Sequence, residues 1–196
     1  MGRRPVPLSE AGRAQSHALV PLLRTLAPER VLTSPLARTR ETADILASGL
    51  GIESTLEPDL VELDFGVWEG HLYDELVDDP AFLAFSRDPV HAAPPGGESA
   101  VAAQTRALAA LGRAFARAPG GRLCVVTHGD LVRLILAAAL ALELREFRRI
   151  RVDTCGVSVV DLMGDRAEVK AINLLADPAR IFTPVHWGVV GDEVGN

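Results

Sequence analysis

The sequence predicts an α/β fold, a three-layer α/β/α sandwich with a mainly parallel sheet and an antiparallel edge. Three observations carry this expectation. Short apolar runs with strand character alternate with stretches of helical periodicity. One of those runs, Leu123-Cys-Val-Val-Thr127, is apolar at consecutive positions, as in a strand covered on both faces. Near the end of the chain, Val157–Met163 and Ala167–Ile172 flank Gly164-Asp165, a tight-hairpin signal.

The elements follow in order. Ser9 is a plausible N-cap for a helix reaching about Leu26, with Leu19, Leu22, Leu23 and Leu26 at helical spacing. Pro21 lies inside that stretch and is expected to kink it or end it early. Arg30–Ser34 reads as a short strand. Pro35 then suits the first position of a helix capped by Ser34 and running to about Ser48. Residues 52–63 read as extended chain with turns. Asp74–Arg87 is weakly helical and broken at Pro80, and 88–97 is a Pro/Gly-rich loop. Ser99–Ala118 is an alanine-rich helix stopped by Gly120-Gly121, and Asp130–Leu142 returns to helix after the Leu123 strand. No repeat or linker appears, so residues 1–196 are expected to form one domain with an irregular tail over 177–196.

Composition narrows the function classes. With 48% hydrophobic and 23% charged residues the chain is globular rather than disordered. A formal net charge of -6 argues against general nucleic-acid binding. No apolar run reaches the ~20 residues of a membrane span, and no signal-peptide pattern opens the chain. The expected location is therefore cytoplasmic, with neither nucleic acid nor membrane as partner. Cys124 and Cys155 fit no metal spacing and read as reduced, buried thiols. No metal-ligand set appears, so metal-free chemistry without a cofactor is expected. Lys170 is the one lysine, which leaves guanidinium as nearly the sole cation for holding an anion.

Three motifs carry chemistry. In Ser34-Pro-Leu-Ala-Arg38 a strand runs into a helix N-terminus, with Arg38 one turn on from Ser34. Free N–H groups plus a planar guanidinium make a cradle for phosphate or carboxylate. A capped helix bearing a surface arginine explains the same residues about as well. In Val125-Val-Thr-His128-Gly129-Asp130 a histidine stands where a strand ends and a helix starts, the place where open α/β sheets bind ligands. A locally satisfied histidine is the competing explanation. In Leu60-Val-Glu62-Leu-Asp64-Phe-Gly66-Val-Trp-Glu69-Gly70, partial desolvation of Glu62 between Val61 and Leu63 would raise its pKa and suit a general acid. A turn-rich edge segment with solvated charges remains open.

Taken in order, PLSEAGRAQ, SPLARTRETA, LVELDFGVWEG, PPGGES and VVTHGDLVR resemble the motifs of the histidine phosphatase superfamily, also called the phosphoglycerate mutase-like family. The resemblance covers Gly2 to about Leu174. It implies that Arg38 binds a phosphoryl group and that Glu62 is the acid protonating the leaving oxygen. It implies that His128 donates to phosphoryl oxygens, that Gly129 offers its backbone N–H, and that Gly2 and Arg3 lie at the site rim. Members of this family carry their nucleophilic histidine in an Arg-His-Gly segment at the end of a first, internal strand. This sequence contains no Arg-His-Gly. His17, His71, His91 and His186 match no such position, and the expectation is that the first strand and its nucleophile precede Met1. The implied function is a phosphohistidine-type phosphomonoester hydrolase, inactive as written, acting on a small phosphorylated substrate. A mutase-type phosphotransferase and a non-catalytic phosphate binder are the alternatives; the short stretch between Gly70 and Pro94 and the PPGGES run favour the phosphatase branch. A homodimer stays open beside a monomer.

Overall fold

The computed structural model describes residues 2–118, 120–164 and 166–182. Helix α1 (Glu10–Leu26) starts at Ser9, whose hydroxyl accepts from the Gly12 N–H. It runs through Pro21 without ending early, contrary to expectation. The proline removes one backbone hydrogen bond, but Leu19, Val20 and Leu23 are buried on either side of it, and that burial holds the helix together. Strand β1 (Arg30–Thr33) follows, then α2 (Ala37–Leu50). This helix starts two residues later than the sequence suggested, and its N-cap is Leu36, with no side-chain cap. Ser34 is not the cap because its hydroxyl is engaged elsewhere.

A short strand β2 (Ser54–Leu56) and three single 3-10 turns carry the chain to α3 (Pro80–Arg87). Pro80 opens this helix rather than breaking one: Asp79 caps it through the Ala81 and Phe82 N–H groups, and proline suits the first turn. Helix α4 (Ala100–Ala116) is capped by Ser99 as expected. Strand β3 (Leu123–Val126), α5 (Gly129–Ala139), β4 (Val157–Met163) and β5 (Arg166–Leu174) complete the order. The expected irregular tail contains a 3-10 turn over Pro178–Phe182, and residues 183–196, His186 among them, lie outside the described residues.

Strands β2, β1 and β3 form a parallel sheet in that order, with Val31 opposite both Ser54 and Cys124. Alternation along the strands sends side chains to two cores. Val31, Cys124 and Val126 meet α1 and α2, where Leu19, Leu23, Ala43 and Leu46 are buried. Leu32, Leu123 and Val125 meet α4 and α5 on the other face. The three-layer architecture is thus the observed one. On α4 the buried face is entirely alanine (Ala100, Ala103, Ala107, Ala110, Ala114), so α5 comes close, and Gln104 donates to the Leu134 carbonyl across the contact at 2.8 Å.

Two details differ from the sequence reading. The β4–β5 hairpin is a separate two-stranded antiparallel sheet, not an edge bonded to the parallel one. Its Val157 and Val160 nonetheless pack into the two cores that β3 also serves. Strand β3 is also less enclosed than its apolar run implied: Val126 is buried, while Leu123, Cys124 and Val125 are half-buried. Among the described residues β3 pairs with β1 alone, so its other edge is not covered by a strand. No helix among the described residues is long and apolar enough to cross a membrane.

Candidate active site

The carboxyl ends of β1 and β3 lie side by side, with Thr33 opposite Val126, and Ser34 continues the pairing by donating from its N–H to the Val126 carbonyl at 3.0 Å. Residues leaving these two strand ends therefore face each other. Thr127 Oγ1 donates to the Leu60 carbonyl at 2.7 Å and brings in the segment bearing Glu62. Three side chains that stand far apart in sequence, Arg38, Glu62 and His128, are collected in this way.

His128 is the N-cap residue of α5 and is 5% exposed. Its two ring nitrogens are both engaged. Arg38 Nη2 lies 3.0 Å from Nδ1, and Ser34 Oγ lies 2.6 Å from Nε2. Guanidinium is a donor only, so Nδ1 accepts, and the neutral ring carries its hydrogen on Nε2, donating to Ser34 Oγ. Burial is the largest cause holding the His128 pKa down at about 3, with the positive charges of Arg38 and Arg106 adding to it. The ring is neutral at pH 7.

Arg38 sits in the first turn of α2 and also donates to the Gly2 carbonyl at 2.8 Å and the Arg4 carbonyl at 3.1 Å. It binds the turn at Gly2–Arg4 against the pocket. Gly2 itself has φ +50, and a Cβ there would run into the Glu69 carboxylate. Burial lowers the Arg38 pKa, while Glu62 and Glu69 pull it back up.

Glu62 accepts from the Leu63 N–H at 3.0 Å. Burial raises its pKa to about 7, and the neighbouring Asp130 carboxylate adds to the rise, outweighing the Leu63 N–H, Arg38 and Arg133. Its backbone is clamped as well: the Glu62 carbonyl accepts from Arg3 Nε at 2.9 Å and from Arg106 Nη2 at 3.2 Å. Both arginines are themselves held by Glu98. The Arg3 guanidinium therefore faces Asp64, Glu98 and the Glu62 carbonyl, while its backbone N–H donates to Glu69. Gly129 opens α5, where the first N–H groups lack intrahelical acceptors.

Sequence reasoning named Arg38, Glu62, His128, Gly2, Arg3 and Gly129; hydrogen bonds link Arg38 to Gly2 and His128 and Arg3 to the Glu62 carbonyl, while Gly129 is placed there by following His128 in the chain. It missed the Ser34 contact to His128, the Glu98–Arg106 pair and the Asp130–Arg133 pair at 2.9 Å. The i,i+3 spacing of Asp130 and Arg133 was a readable signal for the last. Glu98 and Arg106 are eight positions apart, outside helical i,i+3 and i,i+4 spacing, and Ser34 and His128 are 94 apart. The remaining described histidines, His17, His71 and His91, are exposed on α1 and on loops.

The chain as a whole is similar to known proteins. The chain is 30% identical to the adenosylcobalamin/alpha-ribazole phosphatase of Salmonella typhimurium over 174 residues, 88% of this chain and 86% of that one. It is 32% identical to a probable phosphoglycerate mutase GpmB of Cronobacter sakazakii over 164 residues, 82% of this chain and 75% of that one. Among solved structures, a mycobacterial glucosyl-3-phosphoglycerate phosphatase in complex with inorganic phosphate superposes with a TM-score of 0.80 at 27% identity, covering 90% of this chain and 91% of that one. The alpha-ribazole phosphatase of Shigella flexneri superposes with a TM-score of 0.78 at 27% identity, covering 88% and 87%. The family profile described as histidine phosphatase superfamily (branch 1) matches residues 1–175, and the chain belongs to that superfamily.

Proposed function

We propose that these residues form the phosphoryl-binding and proton-donating part of a phosphomonoester hydrolase site. The observation that carries the reading is the convergence of Arg38, His128 and Glu62, whose pKa burial raises to about 7, at the ends of β1 and β3. Arg38 holds two phosphoryl oxygens through its planar fork. The Gly129 N–H and the dipole of α5 add further attraction for negative charge. Glu62, with a pKa near 7, gives its proton to the leaving oxygen as the phosphorus–oxygen bond breaks.

His128 serves this site without becoming charged. In the free pocket Nδ1 accepts from Arg38 and Nε2–H donates to Ser34. When Arg38 turns to a phosphoryl group, the imidazole hydrogen moves to Nδ1 and points at that group. Ser34 then donates its hydroxyl hydrogen to Nε2. A hydroxyl both donates and accepts, so Ser34 satisfies either tautomer.

Phosphatase is favoured over mutase because the segment between Gly70 and Pro94 is short, with one 3-10 turn and α3 as its regular structure. The attacking histidine of the family has no counterpart among the 196 residues, so this chain by itself binds phosphomonoesters and does not turn them over. The test is hydrolysis of p-nitrophenyl phosphate by the 196-residue chain. Little or no release of p-nitrophenol is expected. Substantial turnover that disappears in His128→Ala would overturn the assignment and make His128 the nucleophile.

A further inference from the structure

Glu98, the glutamate of the PPGGES loop, grips two arginines with one carboxylate. Arg106 Nε donates to Glu98 Oε1 at 2.7 Å and Arg106 Nη2 to Oε2 at 2.8 Å, a bidentate pair. Arg3 Nη2 donates to the same Oε2 at 3.1 Å. The Glu98 and Arg106 side chains are 17% and 16% exposed, so salt and water screen this pair less than one on the open surface.

The two guanidiniums hold a single backbone oxygen. Arg3 Nε donates to the Glu62 carbonyl at 2.9 Å and Arg106 Nη2 to the same carbonyl at 3.2 Å. Arg106 Nη1 also donates to the Asp59 carbonyl at 2.6 Å, three residues earlier on the same segment. The Glu62 carbonyl and the Leu63 N–H belong to one peptide unit. That unit is planar and trans, so its C=O and N–H point in opposite directions, and fixing one fixes the other. The Leu63 N–H donates to the Glu62 carboxyl at 3.0 Å. Donation to the carbonyl also polarises the peptide and strengthens its N–H as a donor. A continuous chain of hydrogen bonds thus runs from Glu98 through two guanidiniums and one peptide plane to the Glu62 carboxyl. Asp130, Arg38 and Arg133 are the charged groups that act on that carboxyl through space. Arg113, further along α4, ties the same segment by its side chains instead, through Glu57 and Asp59.

We propose that Glu98 is a positioning residue for the proton donor: through Arg3 and Arg106 it sets the 62–63 peptide plane, which aims the Leu63 N–H at the Glu62 carboxyl and keeps that group in one orientation. The inference rests on Glu62 as the proton donor assigned above.

NMR titration of the isotopically labelled 196-residue chain between about pH 5 and about pH 9, either side of the Glu62 pKa of about 7, tests this. The signals followed are the Glu62 carboxyl carbon, identified by its absence in Glu62→Gln, and the Leu63 amide. In wild type the amide is expected to shift with the same midpoint as the carboxyl carbon. Glu98→Gln keeps the shape of the side chain without its charge; the Glu62 carboxyl is expected still to titrate while most of the accompanying Leu63 shift is lost. The double variant Arg3→Lys, Arg106→Lys keeps both positive charges without the planar forks and is expected to lose the shift as well. Arg113→Met unties the segment from α4 at another point and is expected to keep it in full. A Leu63 amide that does not follow Glu62 in wild type overturns the proposal without any variant. A full Leu63 shift in Glu98→Gln or in the double variant also overturns it: with a moved midpoint Glu98 is a screen of charge, and with only a lowered melting temperature it is an anchor between loops. Equal loss in Arg113→Met overturns it too, since general loosening then explains the effect. Orthophosphate titration of the same samples reads the phosphoryl site separately. Failure of wild type to bind phosphate overturns that site, whereas the coupling at Leu63 tests Glu98 alone.

Discussion

Glu62 and His128 share one pocket, and burial moves their pKa values in opposite directions, up to about 7 and down to about 3. The unfolded chain releases the Glu62 proton near pH 4.5, whereas the folded protein keeps it to about 7. Between those values the folded state binds more protons, so this contribution to stability is present at low pH and is lost as pH rises toward 7. Glu62→Gln removes it. The melting temperature of the variant relative to wild type is expected to climb from about pH 4.5 to about pH 7, and parallel curves would contradict a raised Glu62 pKa. For His128 the proton is held more tightly by the unfolded chain, so its contribution is lost as pH falls from about 6.5 to about 3.

The tautomer account gives a second measurement at this scale. Nitrogen-15 spectra of the His128 ring are expected to show the hydrogen on Nε2 in the free protein and on Nδ1 with orthophosphate bound. Ser34→Ala leaves a buried N–H without its acceptor, at a cost of about 1–3 kcal/mol, and is expected to abolish the change between tautomers. An unchanged tautomer in wild type on phosphate binding would contradict the account. The identities of Arg38, Glu62 and His128 were legible in the sequence because each sits in a short motif beside a strand end or a turn. The role of Ser34 was not. It reads locally as a helix cap, and the partner that takes its hydroxyl is 94 positions away.

At the scale of elements, the segment carrying Glu62 has little regular structure of its own and is held by its contacts. Gly66 has φ +52, and a Cβ there would collide with the Pro95 carbonyl and approach the Gly97 nitrogen to 2.6 Å. This close approach locks the 62–70 loop onto the PPGGES loop, aided by the Glu98 N–H donating to the Asp64 carbonyl at 2.9 Å. Gly51 has φ +71 but open space around it. Gly51→Ala is therefore expected to cost about 1 kcal/mol from backbone strain alone. Gly66→Ala adds a backbone clash and is expected to cost more than about 2 kcal/mol. Equal losses in denaturant unfolding would show that the contact between the loops is unimportant. The PPGGES motif was legible as a loop, but its pairing with Gly66 was not, because turn composition says nothing about which loop lies opposite. The helices were legible wherever a cap and a periodic face agreed, as at Ser9 and Ser99. At Pro21 the helix reaches Leu26 without the early end that the proline allowed, and at Pro80 the expected break is instead a helix start, with proline in the first turn.

For the whole molecule, the fold brings residues from five segments to one end of a parallel sheet, and the order of those segments was already visible as ordered motifs. The separation of the β4–β5 hairpin from β3 was not visible, since strand runs in a sequence carry no record of which edges pair. The account treats the strand-end pocket as a phosphate site built by Arg38, His128 and the start of α5. Titration of the isotopically labelled 196-residue chain with orthophosphate at pH 7.5 tests this most directly, followed by NMR at the Gly129 amide and the Arg38 guanidinium. The account predicts saturable shifts at both positions in wild type and their loss at Gly129 in Arg38→Met. Shifts no larger than those at exposed residues remote from the pocket, or saturation at Gly129 that persists in Arg38→Met, would contradict it.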